Sequence, residues 1–160
     1  MLPLTILFCL VDFLRHHISL IEKVYLFLFD RVTRDVEKQK NVLTGASYYL
    51  IGCLLTVYFI NDESIIMASL LVMSISDSFA AIIGIKYGKT KIYKNKSLEG
   101  SFAFLGATLI ILSFFVPGLS IPGLIFISIT LTFVELLSFH LLNDNLTIPI
   151  SSAIMIQYLV

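Results

Sequence analysis

The sequence predicts an all-α, polytopic transmembrane helical bundle of about six spans, with one amphipathic helix at the cytoplasmic interface. Hydrophobic residues make up 58% of the chain, mean hydropathy is +0.94, and only 14% of residues are charged. Soluble domains are about one quarter charged, and a chain of this length could not bury so much apolar surface in water. The length indicates a single integral membrane domain over residues 1–160.

Six apolar segments account for the predicted spans. A spanning helix needs about 20 apolar residues, with a usable range of about 17–25. The second, third and fifth segments meet this requirement, and the other three are shorter. In chain order, the segments are 2–14, 42–60, 64–85, 101–116, 119–142 and 146–160.

Lysine and arginine occur in only two stretches, with six of them in residues 15–41 and five in residues 86–96. In a bundle of six spans both stretches lie on the same side of the membrane. The positive-inside rule then places both in the cytoplasm and both termini outside. Net charge is zero, and no nucleic-acid partner is expected. The oligomeric state is left open, because a small-residue motif serves packing within or between chains.

The stretch 15–41 combines apolar residues at helical spacing with basic residues between them. This pattern predicts an amphipathic helix that lies on the cytoplasmic membrane surface. The alternative is a solvated basic connector, and neither interpretation assigns chemistry to the stretch. The apolar positions are Ile18, Ile21, Val24, Tyr25, Leu28 and Val32.

Two acidic residues lie inside the predicted spans that carry the polar site: Asp77 in the third segment and Glu135 in the fifth. A charge in hydrocarbon is costly, so such residues usually face a polar interior and mark a functional site. At about 1.5 Å per residue, both lie roughly 10–12 Å from the cytoplasmic ends of their helices. Glu99 and Asp144 lie nearer the surface, beside the second lysine stretch. Carboxylates beside lysines suit Mg²⁺ with phosphates; the alternative is pairing of the two buried acids with Lys, Ser or Thr on neighbouring helices.

The run SDSFAAIIGIKYG, residues 76–88, places one acid and several small residues on a single helical stripe. Small residues allow another backbone or a ligand to approach closely. Gly84 and Gly88 also form a GxxxG pattern, a common packing device in membranes. Alone, this pattern favours packing, but its place behind an acid and ahead of the lysines also favours an approach by phosphate. The stripe consists of Asp77, Ala80, Ala81, Gly84 and Gly88.

Two further polar sites lie at predicted helix starts. Ser97 is a plausible N-cap, and a helix N-terminus flanked by Lys96 is suited to bind phosphate. An ordinary cap with a basic anchor explains the same residues. The turn 143–145, Asn-Asp-Asn, leads into a Thr-x-Pro helix start. It suits a metal or a polar head group, or serves as a connection alone.

Four stretches match one known pattern: NVLTGASYYLIG at 41–52, SDSFAAIIGIKYGK at 76–89, NKSLEGS at 95–101, and Glu135 followed by DNLTIP at 144–149. Together they resemble the CTP-dependent lipid kinase family, which includes dolichol kinase, phytol kinase and yeast-type diacylglycerol kinase and is related to the phosphatidate cytidylyltransferases. The resemblance runs from about residue 12 to near the end. An Arg-Lys…His motif that many members carry in an extra N-terminal span is not found, which indicates a shorter branch or a truncated chain.

The resemblance implies phosphoryl transfer from CTP to a lipid hydroxyl with Mg²⁺ or another divalent cation. It makes Asp77 and Glu135 the catalytic acids, either of which takes the hydroxyl proton. Its metal ligands are Asp77, Glu135 and Asp144, while Asn145 and Thr147 close the site. The nucleotide-binding residues that it implies are Gly84, Gly88, Lys89, Lys96, Ser97, Glu99 and Gly100.

Three functions are compatible with the sequence. The leading hypothesis is a membrane lipid kinase that uses CTP and acts on a polyprenol such as dolichol, on phytol or on diacylglycerol. A cytidylyltransferase that forms a CDP-lipid is the second. The third is a non-enzymatic small transporter or scaffold that uses the buried acids for ion coupling. The expected partners are CTP, a lipid alcohol and membrane lipids, with the active site at the cytoplasmic face.

Overall fold

The computed structural model describes residues 2–30, 33, 42–93, 96–138 and 143–160. These residues form an all-α chain interrupted by one short two-stranded ribbon. The elements are α1 Leu2–Leu14, α2 Ser19–Phe29, α3 Gly45–Phe59, α4 Glu63–Leu71, a π-helical turn Val72–Ser76, α5 Asp77–Tyr87, β1 Lys91–Tyr93, β2 Lys96–Ser97, α6 Leu98–Phe115, α7 Ile121–Leu136 and α8 Asp144–Leu159.

Two helices of the described chain are long and apolar enough to cross a membrane. One is the continuous helix Glu63–Tyr87, which comprises α4, the π turn and α5, and the other is α6. Helices α1 and α2 pass the same test only as a pair, and they meet at an angle of 113°. The all-α membrane fold is thus confirmed, with two or three candidate spans among the described residues, but the predicted number of six is not.

Capping residues explain why some predicted spans are shorter as helices. Thr44 accepts a hydrogen bond from the amide of Ser47, so α3 begins at residue 45 although the apolar run begins at 42. Ser120 caps α7 by accepting from the amide of Gly123. Because a cap sets the first turn, apolar residues outside it do not lengthen the helix. Helices α3 and α7 are apolar but short, at 15 and 16 residues.

The buried core lies between the helix Glu63–Tyr87, α6, α7 and α8. Phe104, Leu112, Ile127, Leu131 and Ile156 are all fully buried there. Large apolar side chains also cover the outer faces of the helices, including Ile85 at 87% and Phe114 at 78% exposure. Such an apolar outer surface is what a bilayer requires of a membrane helix.

Glycines allow close packing at two helix pairs. A Cβ atom at Gly100 on α6 would lie 2.8 Å from the carbonyl oxygen of Ala80 on α5. A Cβ at Gly52 on α3 would lie 3.0 Å from both the Asn145 carbonyl oxygen and the Pro149 side chain on α8. Since Pro149 has no N–H, it cannot donate to the Asn145 carbonyl four residues earlier. That carbonyl faces the Gly52 backbone instead.

The π turn changes the rotation of the helix about its axis directly before Asp77. Ser76, its last residue, is fully buried, and its hydroxyl accepts a hydrogen bond of 3.0 Å from Thr108 on α6. One extra residue in a turn rotates everything that follows about the helix axis, and such turns occur often at functional sites. The Ser76–Thr108 contact fixes that rotation against α6.

The second lysine stretch was expected to be a loop, and part of it forms the ribbon. Strands β1 and β2 are antiparallel, with Lys91 opposite Ser97 and Tyr93 opposite Lys96. Ser97 also caps α6 as predicted, by accepting a 3.2 Å hydrogen bond from the amide of Gly100. The ribbon therefore fixes the backbone of Lys96 directly before α6. Lys94 lies outside the described residues.

The predicted amphipathic stretch contains α2, which follows α1 after the 113° bend. Tyr25 is its buried residue, while Leu20, Val24 and Leu28 are exposed. Residues 31–32 and 34–41 of the prediction, which include Val32, lie outside the described residues. The interfacial position of the helix, the cytoplasmic side and the location of the termini remain predictions.

Candidate active site

A pocket of about 380 Å³ opens between α5, the start of α6, the end of α7 and the start of α8. This volume is typical of small-molecule sites. The two acids predicted inside the spans, Asp77 and Glu135, both line it, together with Lys96 from the lysine stretch. The complete lining is Asp77, Ala80, Ala81, Gly84, Ile85, Lys96, Ser97, Gly100, Ser101, Glu135 and Asp144.

Lys96 is the centre of the polar contacts in the pocket. Its ammonium lies 2.6 Å from Glu135 Oε1 and 3.7 Å from Asp144 Oδ2. It also donates to the Glu135 carbonyl oxygen and, at 3.1 Å, to Ser138 Oγ. The side chain of Lys96 keeps 26% of its surface exposed, whereas that of Glu135 keeps 6%. One cation thus connects the ends of three elements: β2, α7 and α8.

Glu135 has one carboxylate oxygen in contact with Lys96 and one without a partner. Its Oε2 is buried and makes no hydrogen bond. An unpaired buried acceptor is costly, because it has given up water without compensation. An oxygen of this kind in the wall of a pocket is ready to accept a hydrogen bond or to ligate a cation.

The α5 wall carries Asp77, which is half-buried. One to two helical turns further along α5 come Ala80, Ala81 and Gly84, all of which line the pocket. Their small side chains leave the cavity open beside the carboxylate. Gly84 also packs on α6, since a Cβ there would lie 3.1 Å from Ser97 Oγ. The predicted stripe therefore serves both packing and the pocket.

The three predicted metal ligands, Asp77, Glu135 and Asp144, share the pocket but do not form a closed set. Within the described ranges, no three His, Cys, Asp or Glu side chains are grouped closely enough to hold a metal ion. Mg²⁺ usually binds through one or two carboxylates and takes its remaining ligands from water and substrate phosphates. Glu135, with its unpaired Oε2, and Asp144 fit a metal bound in that shared way.

Three of the predicted nucleotide residues lie outside the pocket lining. Gly88 packs against the cap of α6, because a Cβ there would lie 2.6 Å from Ser97 Oγ. Lys89 is exposed after the end of α5. Glu99 accepts hydrogen bonds of 3.2 and 3.4 Å from the amide of Thr90. These contacts close the turn between α5 and the ribbon.

Asn145 and Thr147, which were predicted to close the site, also have partners outside the pocket. Asn145 Nδ2 donates to the carbonyl oxygen of Gly45 at 3.1 Å, which ties α8 to α3. Thr147 Oγ1 donates to the Asn143 carbonyl at 3.2 Å, within the first turn of α8. Both residues shape the start of α8 and so position Asp144. Neither lines the pocket.

An apolar groove of about 260 Å³ lies next to the pocket, between the ribbon, α6 and α7. Ser101 lines both the groove and the pocket. The groove also adjoins Glu135 through its neighbour Leu136. Its remaining lining is Ile92, Leu98, Phe102, Leu105, Ile129, Thr132 and Phe133.

Sequence reasoning missed Ser138, which completes the contacts of Lys96. Its hydroxyl donates to the Glu135 carbonyl at 2.8 Å and lies 3.4 Å from Asp144 Oδ2. Serine at the end of an apolar helix is common, so the sequence carries no signal for this role.

A second buried polar cluster, also missed, is centred on Asp12 of α1. Its Oδ1 lies 2.7 Å from Arg15 Nε, and both side chains are almost completely buried. Its Oδ2 accepts from the amide and hydroxyl of Thr44, at 2.8 and 3.0 Å, and from Ser47 Oγ at 2.5 Å. The guanidinium also stacks on Tyr25, 4.7 Å from the ring centroid. Asp12 could have been found, because it is an acid inside the first apolar segment, just as Asp77 and Glu135 are in theirs.

Comparisons with known proteins place the chain in a family. It is 35% identical over 147 residues to uncharacterized protein RP860 of Rickettsia prowazekii, a match that covers 88% of the chain and 71% of that protein. It is 32% identical over 142 residues to uncharacterized protein MJ1137 of Methanocaldococcus jannaschii, covering 87% of the chain and again 71% of the relative. No family model and no solved structure matches.

More distant matches are to lipid kinases. Dolichol kinase sec59 of Schizosaccharomyces pombe is 34% identical over 124 residues, which is 70% of the chain but 24% of that enzyme. The chain spans 35% of CTP-dependent diacylglycerol kinase 1 of the same yeast and 45% of a probable phytol kinase of Oryza sativa, at 38% and 31% identity. The chain therefore belongs to the same family as RP860 and MJ1137, and it is a distant homologue of the dolichol, diacylglycerol and phytol kinases.

Proposed function

We propose that this protein is a membrane lipid kinase that transfers the γ-phosphoryl group of CTP to the hydroxyl of a lipid alcohol. The observation that carries the proposal is the position of Lys96 between Glu135 and Asp144, in a pocket that Asp77 also lines. Distant homology to three kinds of lipid kinase supports the same reaction class. The positive-inside argument places the pocket at the cytoplasmic face, where CTP is available.

The triphosphate would bind between Lys96 and the first turn of α6. Phosphoryl transfer depends on positioning and on neutralising charge on the transferred group. Lys96 supplies one positive charge, and the N-terminus of α6 adds the favourable end of a helix dipole. Gly84 and Gly100 line this part of the pocket and let α5 pack closely against the start of α6.

Mg²⁺ fits the acid side of the pocket. Glu135 and Asp144 would hold it, and the metal would neutralise charge on the transferring phosphates. Asp77 lies on the α5 wall. Because Glu135 and Asp144 are assigned to the metal, we assign the acceptance of the alcohol proton to the carboxylate of Asp77.

The apolar groove suits the tail of the alcohol. Its lining includes Phe102 and Phe133, which are exposed on the outer faces of α6 and α7, and Ser101 connects it to the polar pocket. An amphiphile with its chain in the groove would place its hydroxyl in the pocket. A lipid alcohol has this combination of a long apolar tail and a single polar end.

Labelling experiments on purified, detergent-solubilised protein test the proposal. Incubation with γ-³²P-CTP, Mg²⁺ and a panel of dolichol, shorter polyprenols, phytol and diacylglycerol should transfer label to one class of lipid. The same panel with γ-³²P-ATP shows which nucleotide is the donor. Label from α-³²P-CTP entering lipid would instead identify a cytidylyltransferase. A protein that labels no lipid and shows no thermal shift with CTP and Mg²⁺ would be a transporter or scaffold.

A further inference from the structure

We propose that the Lys96 ammonium is a tethered counter-cation that occupies the divalent-metal position between Glu135 and Asp144 and leaves it only when nucleotide phosphates arrive. Metal binding would then depend on nucleotide binding, and nucleotide binding would depend on metal binding. This inference rests on the proposed function, since it assumes that the pocket receives a nucleotide and a metal. It adds an order of events that neither the fold nor the relatives specify.

The ammonium lies where a hard metal ion would find its ligands. Its neighbours are all oxygens: a carboxylate and a carbonyl of Glu135, the Ser138 hydroxyl and, at 3.7 Å, the Asp144 carboxylate. Carboxylate, carbonyl and hydroxyl oxygens are also what Mg²⁺ and Mn²⁺ prefer. The same carboxylate offers a second oxygen. Lys96 engages Glu135 Oε1, whereas Glu135 Oε2 is buried and has no hydrogen-bond partner.

Charge makes the two cations mutually exclusive. Glu135 and Asp144 carry two negative charges, and Lys96 neutralises one of them. A divalent ion on the same carboxylates would lie within a few ångströms of the ammonium, and two positive charges at that distance repel one another in this partly buried pocket. One cation must therefore leave before the other can bind tightly.

Lys96 is built to move without disturbing the fold. Its backbone is paired with Tyr93 in the ribbon, while its side chain is 26% exposed and spans the pocket on a flexible stem. The neighbouring residue, Ser97, begins the helix end proposed to bind phosphate. Rotation of the side chain alone would transfer the ammonium from the carboxylates to phosphate oxygens. Binding of nucleotide and of metal would then each favour the other by the same factor.

The first test measures Mn²⁺ binding to the purified protein in detergent. Electron paramagnetic resonance detects the bound ion, and no nucleotide is present. Lys96→Met removes the ammonium and keeps the stem, and it should bind Mn²⁺ at least 10-fold more tightly than the wild type. The matched control is Lys86→Met, on the exposed end of α5, which should bind as the wild type does. Adding Glu135→Gln to Lys96→Met should abolish the gain. Equal or weaker Mn²⁺ binding by Lys96→Met would overturn the proposal.

A second readout guards against misfolding. Lys96→Gln keeps a hydrogen-bond donor for Glu135 if the Met variant does not fold, and Mn²⁺ should raise its melting temperature more than that of the wild type. An equal shift in both would overturn the proposal. Neither measurement uses lipid phosphorylation. If the labelling experiment fails while Lys96→Met gains Mn²⁺ affinity, the kinase assignment is wrong and only the competition between Lys96 and the metal stands.

Discussion

The side chain of Asn145 donates a 3.1 Å hydrogen bond to the carbonyl oxygen of Gly45, one hundred residues earlier in the chain. Asn145 adjoins Asp144, which lines the pocket, and Gly45 adjoins Thr44, which binds the buried Asp12 carboxylate. This one bond therefore connects the chain beside Asp144 with the chain beside Thr44. It holds the start of α8, and with it Asp144, against the start of α3.

Removal of this connection by Asn145→Ala should reduce both stability and activity. The loss of one partly buried hydrogen bond costs about 1 kcal/mol. If the misplacement of Asp144 raises the activation free energy by the same amount, kcat/KM for lipid phosphorylation falls by about five-fold. Steady-state labelling in mixed micelles measures this change. Asn61→Ala, in the turn before α4, is the control; equal activity of the two variants would show that the bond does not serve the site.

Asp77→Asn should reduce lipid phosphorylation by about 10²–10⁴-fold, the usual contribution of a general base. The amide is the same size, so insertion and melting temperature should stay close to those of the wild type. Asp62→Asn provides a matched control, because Asp62 caps α4 and asparagine caps a helix equally well. Retained activity in Asp77→Asn would remove this carboxylate from the mechanism.

Asp12→Ala should lower the melting temperature strongly. It leaves the buried Arg15 guanidinium without its carboxylate, and breaking a buried ion pair in this way costs about 3–5 kcal/mol. The double variant Asp12→Ala/Arg15→Met should lose less than the sum of the single variants, since no charge is left buried and unpaired. Thermal unfolding in detergent gives both values. Additive losses would mean that the two side chains do not stabilise one another.

Glycine-to-alanine substitutions on α6 should separate packing from helix propensity. Gly100→Ala places a Cβ 2.8 Å from the Ala80 carbonyl, and such overpacking costs about 1–3 kcal/mol. It should also reduce activity, because α5 and α6 form two walls of the pocket. Gly106→Ala meets nothing within 4 Å. It should therefore be stabilising by about 0.4–1 kcal/mol and leave activity unchanged. Similar melting temperatures for both variants would contradict the close approach of α5 and α6.

The pattern of single residues predicted much of the site. Asp77 and Glu135 were found because an acid in an apolar run is rare, and the structure brings both to one pocket. Ser97 was recognised as a cap from local chemistry, which does not depend on tertiary contacts. The roles of these residues in catalysis and binding remain predictions.

Three residues of the predicted site have backbone partners that the sequence did not indicate. Glu99, Asn145 and Thr147 fit a family motif, yet their side chains bind the backbone of Thr90, Gly45 and Asn143. The spacing of residues along the chain does not show which backbone group a side chain will bind. The number of spans was not confirmed for a related reason, because hydropathy measures how apolar a run is and not where a cap or a bend ends its helix.

The sequence by itself determined that this chain belongs in a bilayer, since so few charges and so much apolar surface leave no stable alternative in water. It also determined which acids and lysines are available near one end of the helices. Only the tertiary structure decided that Lys96 meets Glu135, 39 residues away, and that Asp12 meets Thr44 and Ser47. Ion pairs and buried hydrogen bonds form within about 3 Å. Distances that short are set by how helices pack against one another.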